Sequence, residues 1–364
     1  MKNFLINIYK LINTLNILLI VILKKNFNSH PVLFLNGARS GSIGGPKVKV
    51  HRLTGLFNIS RYNPNIFYCL SNCIYTYNFY IKKYIKFKIP IIYNQNGIFH
   101  KVWFKGNVLN KNKEMKFYLQ NSDYVFYQSK FCKQCCDEVI YKRTKDFKVL
   151  YNAVDTNFFI PAKHVSLPHI PIIKIGIYNN SNIWRLICTI KALKKINDIK
   201  GNIYKLSIVG PIEKNAKNKI TKLINNYSMN EQISILGELN QDKLVNIMQR
   251  HKIFLSTKIY DPCSNTIIES MSCGLPVIYH NSGGNYELVE NAGWCFGNKT
   301  KSIKKIKIYE EDIFSVLKTI TLEEVNEKSK LARNRAEKYF NILKWEYEHK
   351  KIFDYYINKN KKYN

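Results

Sequence analysis

The sequence predicts an α/β protein of two domains, each a parallel sheet wound with helices on both faces. Its 364 residues suffice for two domains of ordinary size, and a hydrophobic share of 46% is enough to pack cores and excludes a disordered chain. Short apolar runs alternate with helical segments in two successive series. Between the series, Pro161, Pro168 and Pro171 punctuate the polar stretch from Phe159 to Pro171, which reads as an interdomain linker. The expected divisions are an apolar extension over 1–29, a first domain over 30–165, a second over 166–345, and a terminal helix and tail over 346–364.

The extension has one charge between Phe4 and Leu23, at Lys10, and Lys24-Lys25 follow it. Twenty residues just span a bilayer core, but Asn7, Asn13 and Asn16 make insertion costly. No small-residue cleavage site follows in a fitting place. Three readings stay open: a membrane span, a helix lying in the membrane interface, and a helix packed on the protein. A span would leave the following domain on the cytoplasmic side of its Lys24-Lys25 flank.

In the first series Val32 to Leu35 forms a strand that runs into a glycine-rich stretch from Asn36 to Lys47, with Gly44 and Gly45 near its end. Strand, glycine loop, helix is how a doubly wound sheet makes room for phosphate or sugar. Neither a G-x-G-x-x-G in register nor a Walker lysine is present, so a dinucleotide or ATP site is not expected. Further strands are expected at Ile66–Leu70, Ile89–Tyr93 and Tyr124–Tyr127, with a helix from Ser129 to Ile140. The second series places strands at Ile172–Tyr178, Lys205–Gly210, Ile233–Leu236, Ile253–Ser256 and Pro276–Tyr279, and a helix at Gln241–Gln249. Ala332 to Tyr356 reads as one long amphipathic helix.

With 57 Lys+Arg against 25 Asp+Glu, the formal charge of +32 invites a polyanion. The lysines are scattered among abundant Asn, Ile and Tyr, however, and no basic block with interleaved aromatics or zinc-finger spacing stands out. The reading is compositional drift with a weak pull toward anionic head groups and no specific nucleic-acid partner. Nine cysteines, an odd number without framework spacing, exclude a disulfide scaffold and favour a reducing compartment. Cys132 and Cys135 stand two residues apart with no second pair, so neither a zinc nor a redox site is expected there.

Chemistry concentrates between Asp261 and Val289: D-P-C-S-N-T-I-I-E-S-M-S-C-G-L-P-V-I-Y-H-N-S-G-G-N-Y-E-L-V. Asp261 and Glu269 flank a polar turn, and a small-residue helical segment, a G-L-P stop, a short strand and a Gly-Gly turn follow. A helix start preceded by small polar residues presents backbone N–H groups and the positive end of a dipole, which suit a diphosphate. An alternative for Asp261 is a plain N-cap of the following helix.

This run resembles the nucleotide-sugar signature of the retaining glycosyltransferases of group 1, also called family 4, with the GT-B fold. That family shows E-x7-E, A-M-A-x-G-x-P-V-I and G-G-x-x-E; the matching positions are Asp261 to Glu269, Ser270 to Ile278, and Gly283 to Glu287. Asp123 to Ser129, Val149 to Thr156 (with Ala153 in place of the usual Gly) and Gly237 to Gln249 resemble further landmarks, so the likeness covers about residues 30 to 356. It implies two Rossmann-like domains facing across a cleft, with the C-terminal helix crossing back to the first. It implies metal-independent transfer of a sugar from a nucleoside-diphosphate sugar to a hydroxyl of a glycan, lipid or protein, with no cofactor.

Glu269 would hold the ribose, and Asp261, one methylene shorter than the usual Glu, the hydroxyls of the transferred sugar. Ser264, Asn265 and Thr266 would offer backbone N–H groups to sugar and phosphate, with Gly210 beside them. Arg185, in the loop Tyr178–Arg185, would clamp the pyrophosphate; its alternative is an ordinary solvated charge. On the acceptor side stand Gly44, Gly45, Asn96, where the family often carries His, and His100 four residues on. Two alternatives remain: a non-catalytic sugar-nucleotide or glycan-binding scaffold, and a nucleotide-sugar epimerase, whose catalytic His has no placement here. A cytoplasmic location is expected, with peripheral attachment to anionic membrane through the N-terminal segment left open.

Overall fold

The computed structural model describes residues 2–23, 30–36, 40–41, 44–60, 63–71, 89–162, 169–298, 303 and 306–361. Lys24-Lys25, Gly37–Arg39, Ser42-Ile43 and Pro168 lie outside the described residues. The chain forms two compact units, one of Met1–Asn152 with Leu343–Asn364, the other of Ala153–Ile342.

The first unit contains Lys2–Leu23 (α1), Val32–Asn36 (β1), Gly45–Leu56 (α2), Asn58–Ile59 (β2), Ile66–Leu70 (β3), Ile91–Gln95 (β4), Val108–Asn121 (α3), Tyr124–Tyr127 (β5), Lys130–Val139 (α4) and Phe147–Val149 (β6). Its strands make one parallel sheet in the order β2-β1-β3-β4-β5-β6. Every residue of β3 and β4 is buried, as expected of central parallel strands covered on both faces. Cys132 and Cys135 are buried on α4, and Cys132 Sγ donates to the Gln95 carbonyl at 3.3 Å, so this pair serves packing.

The N-terminal helix contacts the first unit. Lys10 Nζ lies 3.3 Å from Glu114 Oε1 of α3, and Asn13 and Thr14 are buried. Among the described residues no helix is long and apolar enough to cross a membrane.

The second unit contains Ile170–Ile175 (β7), Trp184–Lys200 (α5), Tyr204–Val209 (β8), Lys214–Asn226 (α6), Ile233–Gly237 (β9), Gln241–Met248 (α7), Ile253–Ser256 (β10), Asn265–Ser272 (α8), Val277–His280 (β11), Asn285–Val289 (α9), Gly293–Phe296 (β12), Glu310–Thr319 (α10) and Leu322–Tyr339 (α11). Its sheet is again parallel, in the order β12-β11-β10-β7-β8-β9. Numbered within the unit this is the 3-2-1-4-5-6 order of the dinucleotide-binding fold, whose ligand crevice opens where the winding reverses, between β7 and β10. The core beneath it is aliphatic: Ile172, Leu186, Ile190, Leu206, Ile208 and Leu255 are buried together. Two parallel six-stranded sheets with flanking helices are thus the expected Rossmann-like pair.

The expected helix from Ala332 to Tyr356 is two helices, because α11 ends at Tyr339 and Ile342–Lys361 (α12) begins anew. At the break the Phe340 carbonyl accepts the Val154 N–H at 2.7 Å, and the Ile342 N–H donates to the Val154 carbonyl at 3.0 Å. A helix interrupted where its backbone bonds a neighbouring segment kinks for that reason. Ala153 beside that contact has no positive φ, so it takes the usual glycine's place without strain.

Helix α12 returns to the first unit and docks through buried His349, whose Nε2 is 3.0 Å from the Tyr68 hydroxyl and Nδ1 2.9 Å from the Trp345 carbonyl. A carbonyl only accepts, so Nδ1 carries the proton and Nε2 accepts from Tyr68. Burial pushes the His349 pKa down to about 3. The group is neutral when folded and takes a proton on unfolding below its ordinary value of about 6.5. Its contribution is therefore complete above that pH and is lost as pH falls toward 3, by about 1.4 kcal/mol per unit. Urea unfolding of wild type and His349→Gln from pH 7 to 4 should show the shallower pH slope in the variant. Parallel slopes would refute a neutral, buried His349.

Candidate active site

At the reversal point between β7 and β10, a lysine occupies an otherwise apolar strand. Lys174 is 1% exposed, and its Nζ donates to Thr257 Oγ1 at 2.6 Å, joining β7 to the residue that follows β10. Burial, with Arg185 next and Lys258 also contributing, holds its pKa well below the usual lysine range. Sequence reasoning missed this residue. The available signal was a single charge inside the run I-P-I-I-K-I, which a strand buried on both faces does not tolerate idly.

Beyond Thr257 the chain reverses sharply, and Tyr260 adopts φ 54 although it carries a bulky side chain. Such a conformation is costly and persists only when the surroundings hold it. Ser282 Oγ accepts the Tyr260 N–H at 3.2 Å, and the Asp261 carbonyl accepts the Gly284 N–H at 2.9 Å. Gly283 has φ 75, and a Cβ there would stand 2.7 Å from the Asp261 carbonyl oxygen. The Gly-Gly turn is thus the seat of the Asp261 backbone, which gives the second half of the motif a physical reason.

Asp261 Oδ1 accepts the Cys263 N–H at 3.1 Å, and Oδ2 is 3.5 Å from Lys258 Nζ. It closes its own turn and does not cap α8. The N-cap is Ser264, which makes no side-chain cap bond and whose hydroxyl is instead 3.1 Å from Thr266 Oγ1. The helix begins at Asn265, four residues before Glu269, the expected start of the small-residue segment Glu269 to Cys273. Ser264, Asn265 and Thr266 thus form its opening, where backbone N–H groups and the dipole favour an anion.

Glu269 lies in the second turn of α8 and is buried, with 8% of its surface exposed. Its carboxylate and, more strongly, burial push the Cys273 thiol up to about 12. The same helix is fixed from behind, since Ser272 Oγ donates to the Phe159 carbonyl at 2.7 Å and Arg333 Nη1 donates to the Ser272 carbonyl at 2.7 Å.

Arg185 stands at the start of α5, its guanidinium 5.4 Å from the Trp184 ring centre. The residue is half-buried, and its Nε is buried with no hydrogen-bond partner among the described residues. Burial lowers its pKa from the ordinary value, and Tyr178 and Asp261 oppose that shift. The structure therefore brings Arg185 into electrostatic range of Lys174 and Asp261, and Lys258 into range of those same two residues. Gly210 follows β8 and abuts the neighbouring strand end: its φ is 112, and a Cβ would meet the Gly176 carbonyl oxygen at 2.0 Å.

The acceptor-side candidates lie in the first unit. Gly44 is the N-cap of α2 with φ 94, and Gly45 opens that helix. Asn96 follows β4; its N–H donates to Ser71 Oγ at 2.8 Å and its side-chain oxygen accepts from Gln128. Burial lowers the His100 pKa to about 4, so the ring is neutral near pH 7.

Residues 185–318 match the model of the family described as glycosyl transferases group 1. No curated protein sequence matches the chain. Among solved structures, a glycosyltransferase from Rickettsia africae is similar with a TM-score of 0.66 and 18% identity, over 96% of this chain and 94% of that one. Sucrose-phosphate synthase from Thermosynechococcus elongatus gives 0.69 and 14%, over 91% and 100%. Anabaena HepE (Alr3699), solved with UDP and glucose, gives 0.60 and 16%, over 86% and 83%. On the match over 185–318 and the two parallel sheets, the chain carries a group 1 glycosyltransferase domain within a GT-B fold.

Proposed function

We propose that the protein transfers a sugar, with retention and without a metal ion, from a nucleoside-diphosphate sugar to a hydroxyl of a glycan, lipid or protein. The observation that carries this reading is half-buried Arg185, whose buried Nε has no hydrogen-bond partner among the described residues, beside Lys174 and Asp261 at the reversal point of the second sheet. A buried N–H donor of a cation left without a hydrogen bond is costly unless a ligand anion completes it. The diphosphate is assigned to Arg185 and the start of α8, with Lys258 adding to the local positive potential. Fixed charges and dipoles of this kind stabilise a departing phosphate as charge grows on it. Glu269 is assigned to the ribose, Asp261 to the transferred sugar, and the loops at Gly44, Gly45, Asn96 and His100 to the acceptor. In front-face transfer the bond from sugar to phosphate breaks as the acceptor oxygen attacks the same face, and the leaving phosphate takes the acceptor's proton.

HepE was solved with UDP and with UDP-glucose, which makes UDP the first nucleotide to test. Calorimetric titration in excess EDTA should show UDP binding, weakened by about 1.5–3 kcal/mol in Glu269→Gln through loss of a charge-assisted hydrogen bond. Equal affinity in the two folded proteins would sink the ribose assignment. Binding that appears only on adding magnesium or manganese would sink the metal-free one.

One observation favours a non-catalytic sugar-nucleotide scaffold as second reading. Asn96, where the family often has His, is engaged structurally by Ser71 and Gln128. Release of UDP from UDP-glucose in the presence of mixed hydroxyl acceptors separates the two, since a scaffold binds without turnover.

A further inference from the structure

Helix α1 turns an apolar stripe outward. Phe4, Ile8, Leu11, Ile12, Leu15 and Leu19 are 39–66% exposed, and at 100° per residue they fall within a sector of about 120°. The opposite face, which carries Lys10, Asn13 and Thr14 together with half-buried Ile6, meets the first unit. Lys10 pairs with Glu114, and Asn13 and Thr14 are 6% and 1% exposed, the Thr14 hydroxyl turning back within the helix to the Lys10 carbonyl at 2.6 Å. An apolar stripe of this length left facing water is the reverse of what folding in water alone selects.

The charge of the chain is divided unevenly between its units. Residues 1–152 and 343–364 hold 30 Lys+Arg against 8 Asp+Glu, so the first unit carries +22 of the total +32. Helix α3, which receives Lys10 through Glu114, exposes Lys113 and Lys116. The loop leading into α3 exposes Trp103 at 56% between exposed Lys101 and Lys105, and Leu109 of its first turn is 81% exposed. An apolar stripe, an exposed tryptophan and a strongly basic surround are the combination that seats a protein in the headgroup layer of an anionic bilayer. A second copy of the same unit would bring like charge against like charge, which disfavours self-association through this face.

We propose that the first unit docks on an anionic lipid surface through the outward apolar face of α1, with the basic residues around α3 held over the lipid phosphates. This attachment goes beyond the transfer reaction and is independent of it. The test is co-sedimentation of the full chain with vesicles of phosphatidylcholine alone and of phosphatidylcholine mixed with phosphatidylglycerol. It compares wild type with a Leu11→Glu, Leu15→Glu double variant, whose sites already face water and should tolerate charge. Wild type should bind the mixed vesicles far better than the neutral ones. Added salt should weaken that binding without abolishing it, and the double variant should lose at least about a hundredfold in partition coefficient. UDP titration of the same variant reports on the second unit separately, so loss of vesicle binding with unchanged UDP affinity belongs to this face alone. Equal vesicle binding by wild type and variant would overturn the proposal. So would absence of vesicle binding with a wild-type dimer, seen by sedimentation velocity, that the variant dissolves.

Discussion

Arg185→Ala should lower kcat/KM for the sugar nucleotide by about a hundredfold to a thousandfold, the loss expected when one preorganised group facing developing phosphate charge is removed. The same change should leave thermal stability equal or higher. Its Nε has no hydrogen-bond partner among the described residues, and burial lowers its pKa, so the folded protein bears a desolvation cost that alanine removes. Activity and stability moving in opposite directions is the signature of a residue kept for its ligand. Arg185→Lys should recover part of the rate, because a point charge replaces the phosphate's electrostatic partner but not its two-pronged hydrogen bond. Steady-state kinetics with UDP-glucose, or with whichever donor a panel identifies, and a melting curve for each variant make the test. A rate within a factor of about three of wild type would remove Arg185 from the site.

Arg185 also shows where the sequence stops being readable. It is one of 57 basic residues, and a loop position gives no hint of burial. What identifies it is tertiary: the start of α5 lies beside Asp261, which is far away in the chain. Lys174 shows the same limit, because its partner Thr257 is 83 residues distant and only the adjacency of β7 and β10 joins them. The Asp261 to Val289 stretch was legible for the opposite reason. Its Gly and Pro residues punctuate a local loop, helix, strand and turn, and Gly283 answers to a backbone contact within one short segment.

The alternation of strands and helices was legible too, because period and punctuation are local properties. Helix ends were less so. The break at Phe340 and Asn341 arises from backbone bonds to Val154, and nothing within 332–356 announces it. The N-terminal helix had three open readings because composition does not say which face turns inward. That depends on Glu114 being present to receive Lys10.

Gly210 and Gly201 provide a matched pair that separates conformational strain from steric contact. Both are left-handed glycines of the second unit, with φ 112 and 74. Gly201 closes α5 in open space, with nothing within 4 Å of an added Cβ, so Gly201→Ala should cost only the backbone penalty of about 1 kcal/mol. At Gly210 the added Cβ would overlap the Gly176 carbonyl oxygen, a backbone atom that cannot rotate away. Gly210→Ala should therefore cost roughly 2–4 kcal/mol, the strain and overpacking terms together, and lower the melting temperature by on the order of 10 °C. It should also weaken UDP binding, whereas Gly201→Ala should not. Gly176 leads directly into the Tyr178–Arg185 loop, so displacing its carbonyl moves the segment that carries the guanidinium. Differential scanning calorimetry and UDP titration of the two variants decide the matter. If Gly210→Ala melts within about 2 °C of Gly201→Ala and binds UDP as wild type does, the close approach of the β7 and β8 ends does not position the Arg185 loop.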